Sequence, residues 1–325
     1  MADRRPRIGI LGIMQDLYDD DIPGIAQRQE GYAAEVAQQL SDVGEFIPSK
    51  AIKYREDAER AMREFEDSGV DGVMVVMLTY GPAMRVARLL SQSRLPVLMA
   101  NIQPEPSVTP AWNMDDMTYN QGVHGAQDTA NAMVRAGKRF TVLTDDWKSE
   151  GFKTDVGRWA QAAAAVTAWK SLKTAIFGYA MNDMGDIRVD ESALVRSLGP
   201  EILAVAPGDL VRGIDEVSDA QLGEVISFED KHFEIDPRLT REEREDHARM
   251  KVALENILTE GGFGAYTAHF DAIGEDGRFK RLPLAAASSL MAKGYGYGAE
   301  GDVLAAASGS RLNRPSSPIA SKCAV

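Results

Sequence analysis

The chain has 325 residues, which exceeds one small core; a prior of roughly 150 residues per domain gives about two. Hydrophobic residues at 44% and charged residues at 26% are ordinary for a soluble globular enzyme and exclude wholesale disorder. The net charge of −13, from 36 Lys and Arg against 49 Asp and Glu, argues against a nucleic-acid partner and against docking on an anionic membrane. The single cysteine, Cys323, rules out an internal disulfide and a cysteine zinc cluster. No run approaches ~18 uninterrupted apolar residues, so no transmembrane helix is expected and the chain reads as cytoplasmic.

In chain order, Arg4, Arg5 and Arg7 precede the apolar run Ile8 to Met14, which is too short for a secretory leader and reads as a first strand. A helix over about 25–42 follows, then a strand near 46–52, a helix near 57–67 and the strand 72–78 (GVMVVML). A helix near 83–90, a strand at 96–102, a Pro-rich loop at 103–110, a helix near 122–136 and a strand at 140–144 complete the first half. Strands without polar alternation are buried on both faces, as in parallel sheets covered by crossover helices. The expected fold class is therefore α/β, with a doubly wound parallel-sheet N-terminal domain (1–150). A second α/β domain (151–285) is expected from a helix near 157–172 and strands near 175–181, 202–206, 226–228 and 263–270, with helices near 191–197 and 240–259. A remnant of a third domain (286–325) follows, with helix 284–293 leading into the loop GYGYGAEGD. From Val303 to Val325 there is no Asp or Glu, a composition break that predicts disorder from about residue 307. Ligands of such sheets bind beyond the carboxyl ends of the strands, which draws attention to 14–18, 79–81 and 101–103.

Few motifs carry chemistry. Gly296-x-Gly298-x-x-Gly301 matches the dinucleotide fingerprint in letters only, because a helix and not a strand precedes it, and Glu300 and Asp302 oppose a pyrophosphate. There is no Walker A sequence and no G-x-S-x-G elbow. Glu300 reads either as an oriented carboxylate or as a helix-start acid, with Asp302 as N-cap. His269 and Asp271 would share a face if the strand ran through both, giving half a metal site or a strand end in solvent. His124 stands at a helix start between glycines, as a cap, a surface residue or a ligand contact. His232 and His247 read as solvated, and Met14, Met74, Met77 and Met99 as core.

Four segments together resemble the L-arabinose isomerase family. Met14-Gln15-Asp16-Leu17-Tyr18 is similar to its S-Q-x-L-Y, and Asn120-Gln121-Gly122-Val123-His124-Gly125 to its N-Q-x-x-H-G. Met184-Gly185-Asp186-Ile187-Arg188-Val189 is similar to its M-R-x-V-x-V, and Gly294 to Asp302 to its G-Y-G-F-x-x-E-G-D, in the same order over about residues 7–306. The resemblance implies an aldose–ketose isomerase supported by a divalent metal, most often manganese, acting on a monosaccharide as a homo-oligomer (trimer or hexamer). It implies that Gln15, Leu17, Gln121 and His124 contact the sugar from the neighbouring subunit, and that Tyr80 and Met184 line the pocket wall. Glu300 would be a metal ligand and one of two acid/base carboxylates. A carboxylate would carry the proton between C2 and C1 while the cation holds O1 and O2 of the enediolate.

Two departures accompany the resemblance. The family's other catalytic and metal-binding Glu lies in an F-E-D segment, matched here by Phe270-Asp271-Ala272; Asp271 is one methylene shorter, and Glu275 stands nearby as a substitute. The family's two histidine ligands lie beyond the Glu-Gly-Asp loop, whereas this sequence has no histidine after His269 and lacks most of the C-terminal domain. Two other readings follow: a non-catalytic sugar-binding or regulatory module, and an inactive fragment.

Overall fold

The computed structural model describes residues 5–310. The chain divides between Thr167 and Ala168 into two compact units. The division falls later than 150, because most of the helix Glu150–Lys170 belongs to the first unit.

In the first unit β1 (Arg7–Ile13), β2 (Glu45–Pro48), β3 (Gly72–Met77), β4 (Val97–Asn101) and β5 (Thr141–Thr144) form a parallel sheet of order β2-β1-β3-β4-β5. β3 is buried along its whole length, as its apolar, β-branched run requires between two layers of helices. One face packs Met74, Val76 and Leu98 against Tyr32, Trp147 and Phe152. The other packs Val73, Val75 and Met99 against Ala58, Met62 and Phe65. The helix Arg55–Asp67 shows why: Ala58, Ala61, Met62 and Phe65 recur at helical spacing. Its start is fixed by the Asp57 carboxylate, which accepts the N–H groups of Lys53 and Tyr54 at 3.2 and 3.0 Å. Burying Phe152 completely stabilises the unit by about 2–3 kcal/mol.

In the second unit β6 (Lys173–Phe177), β7 (Glu201–Val205), β8 (Ala265–Ala268) and β9 (Gly296–Ala299) form a parallel sheet of order β7-β6-β8-β9. One face carries a thick core of Phe177, Tyr266, Leu210, Leu254 and Phe279. The other is thin, with Ala265 packed on Ala306, Ala307 and Leu172. There the helix Val303–Gly309 lies directly on the sheet, and the Trp169 indole N–H donates to Ala307 O at 3.1 Å.

Four expectations change. Residues 226–228 are not a strand but lie inside the helix Asp219–His232, whose start is set by a reciprocal cap between Ser218 and Gln221. The strand expected over 263–270 ends at Ala268, because His269 caps a short helix, Phe270–Gly274. The glycine-rich segment is not simply a loop: Gly296–Ala299 is β9 and joins the second sheet. Residues 307–310 are ordered, with Ala307 and Ser310 buried; the rest of the expected disordered tail, with Cys323, lies outside the described residues. Among the described residues no helix is long and apolar enough to cross a membrane.

Candidate functional site

Each sheet reverses its strand order once, between β1 and β3 in the first unit and between β6 and β8 in the second. At such a reversal the connecting helices diverge to opposite faces and leave a crevice beyond the strand ends.

In the first crevice the exits of β1 and β3 are tied together. Leu78 N–H donates to Ile13 O at 2.8 Å and Gln15 N–H to Thr79 Oγ1 at 3.2 Å. Arg85 clips the β1 exit, donating to Asp16 Oδ1 at 2.7 Å and Met14 O at 3.4 Å. That hydrogen bond holds the Asp16 carboxyl below its ordinary range, and the Asp16 charge pushes the Tyr54 hydroxyl up. Buried Gln29 donates its amide to Leu78 O, and to Tyr119 O at 2.9 Å, so a helix locks the β3 exit. The glycines of the N-Q-x-x-H-G segment have a packing role. A Cβ on Gly122 would stand 2.8 Å from Met77 O, and one on Gly125 2.9 Å from Met77 Sδ. The helix Gly122–Arg135 therefore starts in direct contact with the end of β3.

Gln121 Nε2 donates to Tyr18 Oη at 3.0 Å, bridging the β1 exit to this helix start. Gln15 is half-buried and its Oε1 is buried with no partner. Tyr80 is half-buried, Leu17 is 50% exposed, and His124 is exposed in the first helical turn. The crevice thus brings Gln15, Leu17, Tyr18, Tyr80 and Gln121 to the paired strand exits and their facing helix. Met184 belongs to the other unit, in the half-buried loop after β6.

In the second crevice three strand exits are pinned to one another. Met181 N–H, after β6, donates to Glu300 O at 2.8 Å, and Gly301 N–H donates to Thr267 Oγ1 of β8 at 3.0 Å. Glu300 is half-buried and sits in the left-handed region at φ 63°, a conformation that disfavours any residue with a Cβ. A residue held in such a conformation by its surroundings is a mark of functional sites. Asp302 caps the following helix, accepting Ala305 N–H at 2.9 Å. Gly296 and Gly298 are required because Cβ atoms there would lie 1.9 Å from Ala306 O and 2.2 Å from Asp302 O. These glycines seat a helix on a strand. They lie within β9 rather than in a strand-to-helix turn, so the dinucleotide match stays one of letters.

His269 is neither a solvated strand end nor a plain surface cap. It is 0% exposed, stacked on Tyr179 at 4.7 Å between ring centroids, and its Nδ1 accepts Ala272 N–H at 3.1 Å. Asp271 Oδ2 lies 4.0 Å from His269 Nε2. His269 was legible as a candidate beside Asp271, but its burial and its neighbour Tyr179 were not, because the stacking joins segments about ninety residues apart. β9 did have a signal, the period-two alternation of Tyr295 and Tyr297 with Gly296 and Gly298.

Similarity to known proteins bears on these two crevices. Residues 9–171 match the L-arabinose isomerase N-terminal domain and residues 173–313 the L-arabinose isomerase central domain. The chain belongs to the L-arabinose isomerase family. It is 29% identical to an L-arabinose isomerase of Clavibacter sepedonicus over 89% of this chain and 58% of that protein. It is 28% identical to one of Clostridium beijerinckii over 86% of this chain and 60% of that protein. A Nocardioides L-arabinose isomerase is 31% identical over 71% of this chain and 47% of its own length. The chain thus spans about 58–60% of the first two of these curated relatives.

A divalent cation of the manganese type takes about six oxygen or nitrogen donors. Asp271 and Glu300 offer two carboxylates. His269 adds no third donor, because a backbone N–H occupies the lone pair of its Nδ1 and its Nε2 therefore carries the hydrogen. Among the described residues no three His, Cys, Asp or Glu side chains converge as a metal site. The described side chains do not by themselves fit a resident manganese ion.

Proposed function

We propose that the chain carries the sugar-handling parts of an aldose–ketose isomerase, with L-arabinose the first substrate to test. The observation that carries this reading is Glu300, a non-glycine residue held in left-handed backbone at the β9 exit and pinned to the exits of β6 and β8. Isomerisation moves a proton between C2 and C1 of the open-chain sugar, which calls for a carboxylate that accepts it at one carbon and returns it at the other. Asp271 and Glu300 take the acid/base roles in this proposal. Gln15, Gln121, Tyr80 and His124 supply the amide, hydroxyl and imidazole groups that bind sugar hydroxyls, with Leu17 and Met184 as apolar walls. The proposal includes a homo-oligomer, trimer or hexamer, in which a neighbouring subunit lends the first-crevice residues, and a cytoplasmic setting. A manganese requirement belongs to it only with donors beyond those described.

The test is ketose formation from a panel of aldoses by the purified 325-residue chain, with added manganese and again with excess chelator. Turnover that is lost in Glu300→Ala supports the reading. A folded, soluble chain that turns over no aldose overturns it.

A second reading is a non-catalytic sugar-binding module, favoured by the absence of a three-donor metal set among the described residues. L-Arabinose binding that chelation leaves unchanged, without turnover, would select it.

A further inference from the structure

His269 has four properties that together define a fixed hydrogen-bond donor. Its ring is wholly buried. It stacks on two aromatic neighbours, Tyr179 at 4.7 Å and Phe270 at 5.6 Å, with interplanar angles of 28° and 16°. The close approach of the β6 exit on this side depends on Gly178, at φ 94°, where a Cβ would lie 2.7 Å from Ala272 Cβ. Finally, Nδ1 accepts the Ala272 N–H at 3.1 Å, and since an amide N–H can only donate, the ring hydrogen is on Nε2. That Nε2–H is buried and has no partner.

The nearest carboxylate oxygen, Asp271 Oδ2, is 4.0 Å away, beyond hydrogen-bond reach by about 1 Å. The two partners differ in freedom. The imidazole is clamped, whereas the Asp271 side chain is 42% exposed and able to turn. A rotation about its χ angles is the adjustment that satisfies the buried donor.

We propose that His269 is a positioning residue: its Nε2–H takes one oxygen of the Asp271 carboxylate and so fixes the direction of the other. This rests on the reading of Asp271 as an acid/base carboxylate. It gives the shorter side chain a defined orientation, which a one-methylene truncation would otherwise lose. Angstrom-scale misplacement of a reacting group lowers turnover by up to about a hundredfold.

Two substitutions separate this role from helix capping. His269→Asn keeps a good N-cap oxygen but removes the Nε2 donor. His269→Gln carries an amide N–H at nearly the imidazole reach but is a poor cap. The first measurement is made on the full chain, labelled with 15N at histidine, with His269 assigned by its loss in His269→Asn. Long-range 1H–15N correlations are expected to show bare Nδ1 and protonated Nε2, and the Nε2–H resonance is expected to move in Asp271→Asn. The opposite tautomer, or a resonance that Asp271→Asn leaves in place, overturns the proposal whether or not the chain turns over any sugar. The second measurement is L-arabinose turnover. His269→Asn should lower kcat roughly ten- to a hundredfold with KM within about threefold while the chain remains folded at the assay temperature, and His269→Gln should recover part of kcat. Parental kcat in His269→Asn, or loss of kcat only in step with loss of folding, overturns it. If the parent chain is inert toward every aldose, the isomerase reading fails, while the tautomer and Asp271→Asn spectra still decide the hydrogen bond.

Discussion

At the β1–β3 reversal the first unit presents amides and hydroxyls, and carboxylates beside them are already engaged, Asp16 by Arg85, Asp19 by Lys53 and Asp128 by the Ala83 N–H. At the β6–β8 reversal and the adjoining β9 exit the second unit presents Asp271, 4.0 Å from a buried imidazole, and Glu300, neither paired to Lys or Arg among the described residues. The same topology therefore holds two chemistries. In the function proposed above, the first crevice would recognise hydroxyls without changing protonation and the second would take and give protons. The supports differ as well. The first sheet has thick apolar layers on both faces, whereas the second has a thick layer on one face and a film of alanines on the other. Asp271 and Glu300 sit in the unit with the thinner support, and the Glu300 turn depends on close backbone approaches at Gly296, Gly298 and Gly301.

The sharpest way to break this comparison is to add a methyl group at matched close approaches. Gly296→Ala, whose Cβ would meet Ala306 O at 1.9 Å, should destabilise the second unit by about 3 kcal/mol or more. Gly122→Ala, at 2.8 Å from Met77 O, should destabilise the first by about 2 kcal/mol. Calorimetry of both variants checks whether the losses fall in that order; a silent Gly296→Ala would remove the argument that β9 and its helix are in backbone contact. A smaller and opposite effect is expected at Glu300. Because its φ of 63° favours glycine over alanine, Glu300→Gly should melt above Glu300→Ala by the equivalent of about 1 kcal/mol while both lose the carboxylate. Equal melting temperatures would mean that the left-handed turn relaxes once the carboxylate is gone.

The smallest effect concerns acid. The Arg278 guanidinium holds the Asp276 carboxyl down at about 2, from an ordinary 3.8. A lowered folded-state value means the pair's stabilisation is complete above 3.8 and disappears as pH falls toward 2. Arg278→Met should therefore trail the parent slightly at neutral pH and converge with it near pH 2, followed by urea midpoints across that range. The pair is solvent-accessible, so the gap should be slight. A gap that widens in acid would contradict the assignment.

Much of the architecture could be read from particular residues. The run Gly72 to Leu78 announces a strand buried on both faces, and Ala58, Ala61, Met62 and Phe65 announce a helix on a sheet. Reading failed where one local signal had two solutions. Ile226 to Phe228 is a short apolar run that fits strand or helix, and the Ser218–Gln221 cap decides for helix. β9 was hidden because half its positions are glycine, so the alternation carries little hydrophobic contrast. At the candidate site, the residue types at positions 15, 121, 271 and 300 could be read, but their state could not. The left-handed backbone of Glu300 is held by hydrogen bonds from segments far apart in sequence, and the Nε2–H form of His269 by a local ring-to-backbone cap that residue types alone do not announce.

Three of the four tryptophans, Trp112, Trp147 and Trp159, lie in the first unit, and Trp169 alone reports from the second. Its indole N–H rests on Ala307 O, in the helix that directly follows the Glu300 turn. A chain in which the other three are replaced by phenylalanine would have one emitter, wired to the seating of that helix. Its colour would shift whenever a sugar, a cation or a substitution lifted the helix from β9, an optical gauge of the acidic crevice that touches none of the crevice's own groups.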